Sequence, residues 1–390
     1  MCKNPTETTV AVQQNKVSND PAMEAKAKRN EKYARLELPW FIKGGMQTNL
    51  FGMGLNILIP PILWASSLPN RRQQVIYYTL YLSSILLAKF LGRMKTIFCT
   101  LIVPTYYCSM FLSFWTLADQ HPFRLLVVAF VLGMVKVGIP MSICLHRYAA
   151  HQAFTCGPVI KWFLLVLSCL AHQGGPLWWA ATHRAHHKFC DTDNDPHSPQ
   201  IDGVERAFAF FWVKIRVLKD FIPRHLQANS AMWLLDTWAF TVHTMEMAIA
   251  YAIGGHAFMF VAYTSAWMCQ VTTLWFNVIN HPEEEAKERR TEENKDDIRQ
   301  VCVASDYKSN GWLDLPPGTA MAGRFLPFHV LNFTNFFFAQ LSAEDQHKHH
   351  HAHARLAQRT PGDFFYWSFV FPLETLGLVW NVQHLSDKEA

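Results

Sequence analysis

The chemistry in this sequence is concentrated in its histidines. Of 19 histidines, eight fall into three short clusters. His146 and His151 form an HxxxxH pattern. His183, His186 and His187 form an HxxHH pattern, and His347, His350 and His351 form a second, with His349 and His353 interleaved. His281 stands alone. On an α-helix, residues at i, i+3 and i+4 share a face, so each HxxHH offers three imidazoles in one direction. The members of HxxxxH stand about 140° apart on an α-helix and converge only if the helix end unwinds or if they approach from different sides. Neutral imidazole is the commonest biological metal ligand and suits iron, zinc and copper. Eight clustered histidines plus His281 exceed what one ion can hold. A two-metal site with four or five ligands each fits the number.

These clusters need elements to position them. Six apolar stretches approach the length of about 20 residues that a helix needs to cross a bilayer. They run over Asn49–Leu68, Gln74–Leu91, Ile97–Leu117, Pro122–Leu145, Ala231–Tyr251 and His256–Val278. Lys26, Lys28, Arg29, Lys32, Arg35 and Lys43 precede the first, which sets that end on the cytosolic side by the positive-inside rule. Counting crossings from there brings His146, the second cluster and His281 to the same cytosolic face. The last two stretches read as a hairpin turning at Gly254-Gly255. Val159–Ala171 and Phe208–Leu218 are too short or too mixed to cross and read as in-plane or protein-packed helices. Lys136 sits inside the fourth stretch, where a charge is costly and needs a partner or a function.

Composition agrees with a membrane protein. Half of the chain is hydrophobic and only 17% is charged, against about a quarter in soluble domains. The net charge of +5, without a long basic block, suits anionic lipid and argues against nucleic acid. Nine scattered cysteines without a CxxC read as isolated thiols in a reducing compartment. The expected organisation is a polar cytosolic tail over 1–45, a membrane domain over 46–382 and a short C-terminal tail over 383–390. The charged run Glu283–Arg299 reads as a solvated loop or surface helix.

The clusters, in this order, resemble the membrane fatty acyl desaturases of the stearoyl-CoA (delta-9) type. GGPLWWAATHRAHHKFCDTDNDPHSP, Gly174–Pro199, is similar to that family's second histidine box and its flanks. HRYAAH resembles the first box, and Asn277-Val-Ile-Asn-His281 resembles the Asn-x-x-x-His that closes a span. The resemblance implies an all-α integral-membrane fold: a four-span helical bundle, here with two extra N-terminal apolar segments, under a cytosolic histidine-rich di-iron cap. It implies nine iron ligands: His146, His151, His183, His186, His187, His281, His347, His350 and His351. Asn277 matches a residue that reaches the metal through water, and Glu344 matches a glutamate three residues before the third box. Departures are Ala343-Glu344-Asp345 in place of Gly-Glu-Gly, and a long charged insert after His281.

Removing hydrogen from an unactivated methylene needs an oxidant that no side chain supplies, so a metal centre using O2 must. The expected function is an O2-dependent desaturase with two iron ions, placing a cis double bond in a long fatty acyl chain held in an apolar tunnel. Trp178, Trp179 and Phe333–Phe338 are candidates for the tunnel wall or for interfacial anchoring. No HPGG-type haem motif is visible, so electrons come from a separate carrier, cytochrome b5 or a ferredoxin. The expected location is the endoplasmic reticulum membrane. A membrane di-iron hydroxylase acting on an alkyl, sterol or sphingoid chain is the alternative, and a metal carrier or sensor is a third reading.

Overall fold

In a computed structural model the chain divides into two units, residues 1–38 and 39–390. The structure describes residues 62–63, 65–66, 68, 70–91, 121–191, 195–199, 218–226, 229–281 and 335–386, all in the second unit. The first apolar stretch apart from residues 62–63, 65–66 and 68, the whole of the third, Phe208–Leu218 apart from its last residue, the charged insert and the N-terminal tail lie outside them.

The described residues are mostly helical. Helix α1 covers Arg71–Leu91. Helix α2, Pro122–Lys136, starts on a proline that fixes φ at its first position. It runs on as a π-helical stretch, Val137–Ala150, which contains Pro140 and is buried almost throughout. Strand β1, Thr155–Cys156, leads to α3, Pro158–Ser168, and a 3-10 turn, Cys169–Ala171. Helix α4 is Pro176–Phe189, α5 is Ser230–Thr237 and α6 is Ala239–Ile279. Residues 335–342 are helical, followed by α7, His347–Ala352, a π turn, Tyr366–Val370, α8, Phe371–Thr375, and strand β2, Val379–Trp380.

Among the described residues two helices are long and apolar enough to cross a membrane, Phe123–Ala150 and Ala239–Ile279. The second is broken where Gly254 and Gly255 leave helical geometry, Gly255 at φ 61°. Lys136 shows that the break is a reversal. Its Nζ lies 2.8 Å from Glu246 Oε2 on the first arm and 3.4 Å from the Ala262 carbonyl oxygen on the second. Sixteen residues of straight helix would separate those positions by about 24 Å. The fifth and sixth stretches are therefore the expected hairpin. The lysine of the fourth apolar stretch is paired: Glu246 meets it at 2.7 Å and also takes His243 Nδ1 at 2.7 Å. The second apolar stretch is helical as α1, but it is not among the two helices that meet the length and apolarity of a span.

Helix α3 buries Leu164, Leu165 and Ser168 against the π-helical stretch and exposes Val159, Phe163 and Val166. Such a two-sided helix fits the in-plane reading. The N-terminus of α4 is capped from another helix. Asp236 of α5 accepts the Leu177 and Trp178 backbone N–H groups at 2.8 and 3.0 Å. This contact requires glycine at 175, because a Cβ there would meet the Asp236 carboxylate oxygen at 2.2 Å. The C-terminal segment is sewn to the loop after the first histidine pair. Strands β1 and β2 pair antiparallel, Thr155 with Trp380 and Cys156 with Val379. Gln383 N donates to the Ala153 carbonyl at 2.9 Å. Cys144, Cys156, Cys169 and Cys269 are free thiols. Cys190 departs from the expectation of isolated thiols: it is disulfide-bonded.

Candidate metal centre

The first histidine pair converges through its helix type. His151 N donates to the His146 carbonyl at 3.2 Å, an i→i+5 bond that closes a π turn. Residues five apart thus complete one turn, and the two rings lie 5.1 Å apart. The separation expected on an α-helix is removed by the widened turn.

All nine predicted histidines are brought together, in two groups. Ring nitrogens of His146, His151, His183, His187 and His350 lie within 4.8 Å of one another, and so do those of His186, His281, His347 and His351. Each HxxHH is therefore split, which corrects the expectation that it points one way. In α4 the i, i+4 pair His183 and His187 serves the five-histidine set, and His186 at i+3 serves the other. In α7 the roles exchange: His347 and His351 serve the four-histidine set and His350 the five. The helical angle carries this signal, since i+3 and i+4 fall about 60° and 40° to opposite sides of i.

The donor chemistry fits metal ions. His146 Nε2 lies 2.9 Å from His350 Nε2, His183 Nε2 lies 2.9 Å from His151 Nε2, and His187 Nε2 lies 3.0 Å from both His183 Nε2 and His350 Nε2. In the second set His347 Nε2 lies 3.1 Å from His281 Nε2 and 3.2 Å from His351 Nε2. A neutral imidazole has one N–H, so it cannot bond to several such neighbours at once. Ligands at right angles around an ion bound at about 2.1 Å stand about 3 Å apart. His186 Nε2 is buried without a hydrogen-bond partner. Burial, then repulsion among the rings, holds His151, His183, His187, His347 and His351 well below the usual histidine range, and burial, then the Arg359 guanidinium, does the same to His350. They are neutral and have lone pairs to give.

Carboxylates orient the rings from behind. Asp195 Oδ2 faces His186 Nδ1 at 2.9 Å and Asp191 Oδ2 faces His281 Nδ1 at 2.8 Å. Ser198 donates to Asp191 at 2.6 Å, and the Asp191 and His197 backbone N–H groups donate to Asp195 at 2.8 and 3.0 Å. Burial would raise both carboxyls, but the neighbouring histidines and hydrogen bonds hold them below the ordinary range. Glu344 Oε1 lies 3.2 Å from His146 Nδ1 and accepts from Ser142 at 2.6 Å, and its other oxygen pairs with Arg359. Such partners fix which nitrogen is protonated and how the ring points. Asp191, Asp195, Ser142 and Arg359 were not singled out from the sequence. Only the two aspartates carried a signal, a carboxylate within ten residues of the second box.

Asn277 stands one helical turn before His281, and its Nδ2 lies 2.8 Å from His197 Nδ1 and 3.3 Å from the His197 carbonyl. His197 stacks on His186 with centroids 4.3 Å apart. His172 lies apart from both sets, its ring 4.5 Å from His243. A cavity opens between the sets. Two histidines of each, His146 with His183 and His186 with His347, line it together with Val137, Met141, Trp179, Asn277, Phe338 and Ala339. Of the aromatic candidates, Trp179 and Phe338 line this cavity. Trp178, Phe336 and Phe337 do not, and Phe333 lies outside the described residues.

Residues 122–315 match the fatty acid desaturase family. An acyl-CoA 5-desaturase from Anemone leveillei is 32% identical over 136 residues, 33% of this chain and 40% of that protein. The chloroplastic palmitoyl-monogalactosyldiacylglycerol delta-7 desaturase of Arabidopsis thaliana is 30% identical over 162 residues, 40% of this chain and 42% of that protein. Delta-9 acyl-lipid desaturase 1 of the same plant is 34% identical over 98 residues, 24% and 31%. The chain spans about two fifths of the length of the first two relatives. The family match covers His146, His151, His183, His186, His187 and His281, and the third cluster lies beyond it. On residues 122–315, just under half of the chain, and on the histidine groups they help to build, the chain is similar to the fatty acid desaturase family.

Proposed function

We propose that this protein is an O2-dependent fatty acyl desaturase that forms a cis double bond in a long acyl chain at a di-iron centre. The observation that carries the reading is the gathering of nine buried or half-buried imidazoles into groups of five and four around one cavity. His146, His151, His183, His187 and His350 would hold one iron, and His186, His281, His347 and His351 the other. When bound, the irons supply the oxidising power that side chains lack. The chain's own residues do the rest. Asp191, Asp195 and Glu344 orient imidazoles. Val137, Met141, Trp179, Phe338 and Ala339 give the acyl chain an apolar seat that excludes water. Asn277, beside the four-histidine set, is held by His197 at the cavity wall.

The spacing HxxxxH in the first box supports the stearoyl-CoA (delta-9) type. Arg184, Lys188, Lys348 and Arg355, which lie in or just after the second and third clusters in sequence, are exposed. They suit a phosphate-bearing head group or an acidic face of a separate electron carrier, cytochrome b5 or a ferredoxin. We assign the centre to the cytosolic face of the endoplasmic reticulum membrane on the charge pattern of the sequence. Expression in a desaturase-deficient yeast, followed by lipid profiling, tests the reading. A new cis-unsaturated acid that His186→Ala abolishes is expected. A hydroxylated product, or none from a protein that folds and holds iron, would sink it.

A further inference from the structure

Beside the histidines runs a buried chain of four charges that metal ligation does not use. Arg147, next to His146 in sequence, is fully buried. Its guanidinium donates to the Asp363 carboxylate at 2.5 Å, the Ala357 carbonyl at 2.5 Å and the Ser342 carbonyl. Asp363 also accepts the Arg359 backbone N–H at 3.2 Å. Arg359, 3% exposed, pairs through Nη1 with Glu344 and brings Nη2 to 3.3 Å from His146 Nδ1. The chain Arg147, Asp363, Arg359 and Glu344 sums to zero charge. It links the first box to residues 357–363, which lie past the end of the family match at 315.

A guanidinium against a metal-ligating ring is repulsive toward a divalent ion unless a carboxylate compensates it. Glu344 does so, and the same carboxylate faces His146 Nδ1. Each of the two charges makes the other tolerable beside the ring.

We propose that Arg359 is a positioning residue for the five-histidine set, acting through Glu344 on His146, so that the C-terminal segment is part of the metal site. This rests on the di-iron reading above. The test uses the full chain, purified in detergent, with iron per chain and the rate of iron loss to a chelator as readouts and thermal unfolding as the control for fold. Arg359→Gln leaves a buried carboxylate uncompensated, and Glu344→Gln leaves a buried cation against His146. Each should release one of two irons about 10–100-fold faster than wild type, the scale of lost outer partners. The double variant is neutral and should recover most of the retention, because swapping both members of a buried ion pair need not cost what breaking it costs. Single variants that release iron at the wild-type rate would overturn the proposal, as would a double variant whose loss is the product of the two single losses. If Arg359→Gln does not fold, Arg359→Lys decides: it keeps the charge without the two-pronged reach, and intermediate release is expected where a wild-type rate overturns. Wild-type protein holding fewer than two irons would defeat the di-iron reading instead, which separates the two failures.

Discussion

The two histidine sets draw on the same two helices, α4 and α7, yet they are braced in opposite ways. The four-histidine set leans on Asp191 and Asp195, which follow the second box directly and are satisfied by Ser198 and by backbone N–H groups. Arg359 and Arg147 bond to Glu344, Asp363 and backbone carbonyls, so no hydrogen bond from either reaches these aspartates. The five-histidine set leans on Glu344, whose charge Arg359 offsets. One set thus has one ligand fewer and two compensating anions behind it; the other has one ligand more and a neutral surround. Carboxylates behind an imidazole raise its basicity and hold a cation more firmly. On the di-iron reading, the two positions would hold their ions by different means, ligand number on one side and outer charge on the other.

The strongest way to break this comparison is to remove the single i+3 histidine that each helix sends across. His186→Ala should empty the four-histidine position and His350→Ala the five-histidine position, each taking iron from two per chain to one and abolishing unsaturated product. Iron analysis of both purified variants checks this, and two irons retained in either would dissolve the division into sets. Asp195→Asn comes next. It replaces the carboxylate behind His186 with a neutral amide and so removes one of the two anions, and chelator release from the four-histidine set should quicken about 10–100-fold. Unlike the Glu344–Arg359 pair, no cation among these contacts offers a compensating second substitution. His197→Ala is smaller. It removes a stacked ring worth about 0.5–1.5 kcal/mol, so release should quicken about 2–10-fold, while His197→Phe, which keeps the stack, should recover most of that.

Much of this site was readable from residue spacing, and what was not has a physical reason. The HxxHH patterns survive as helices because i, i+3 and i+4 neighbours depend only on local geometry, and the hairpin at Gly254-Gly255 shows as paired glycines between apolar runs. The split of each triplet was present in the 3.6-residue period but was averaged away when three residues were treated as one face. Convergence of His146 with His151 was not readable, because it requires a π turn, and nothing local in HRYAAH announces one. Arg359 lies 213 residues from His146 and Glu246 lies 110 from Lys136. Such pairs exist only after packing, so the sequence showed that Lys136 needed a partner but not which.

The gentlest probe of the comparison touches a support of the first box and leaves the ligands alone. His225 Nε2 lies 3.0 Å from the Tyr148 carbonyl, and its ring meets the Tyr148 ring edge-on at 5.4 Å. Lys161 Nζ donates to the His225 carbonyl at 2.7 Å, tying α3 to the same turn. Burial, with Lys161 adding to it, lowers His225 from 6.5 to about 4. The unfolded chain then binds the proton more readily than the folded one between these values. Stability from this group is complete above pH 6.5 and drains away as the pH falls toward 4, by roughly 2 kcal/mol once its partial exposure is allowed for. His225→Gln keeps a donor for the Tyr148 carbonyl but cannot titrate. Thermal unfolding of wild type and variant at pH 7.5 and 4.5 should therefore show a gap that narrows or inverts on acidification, with iron content at pH 7.5 unchanged. A gap of constant size would mean that His225 takes up its proton equally in the folded and unfolded states, and would overturn the burial reading of this support.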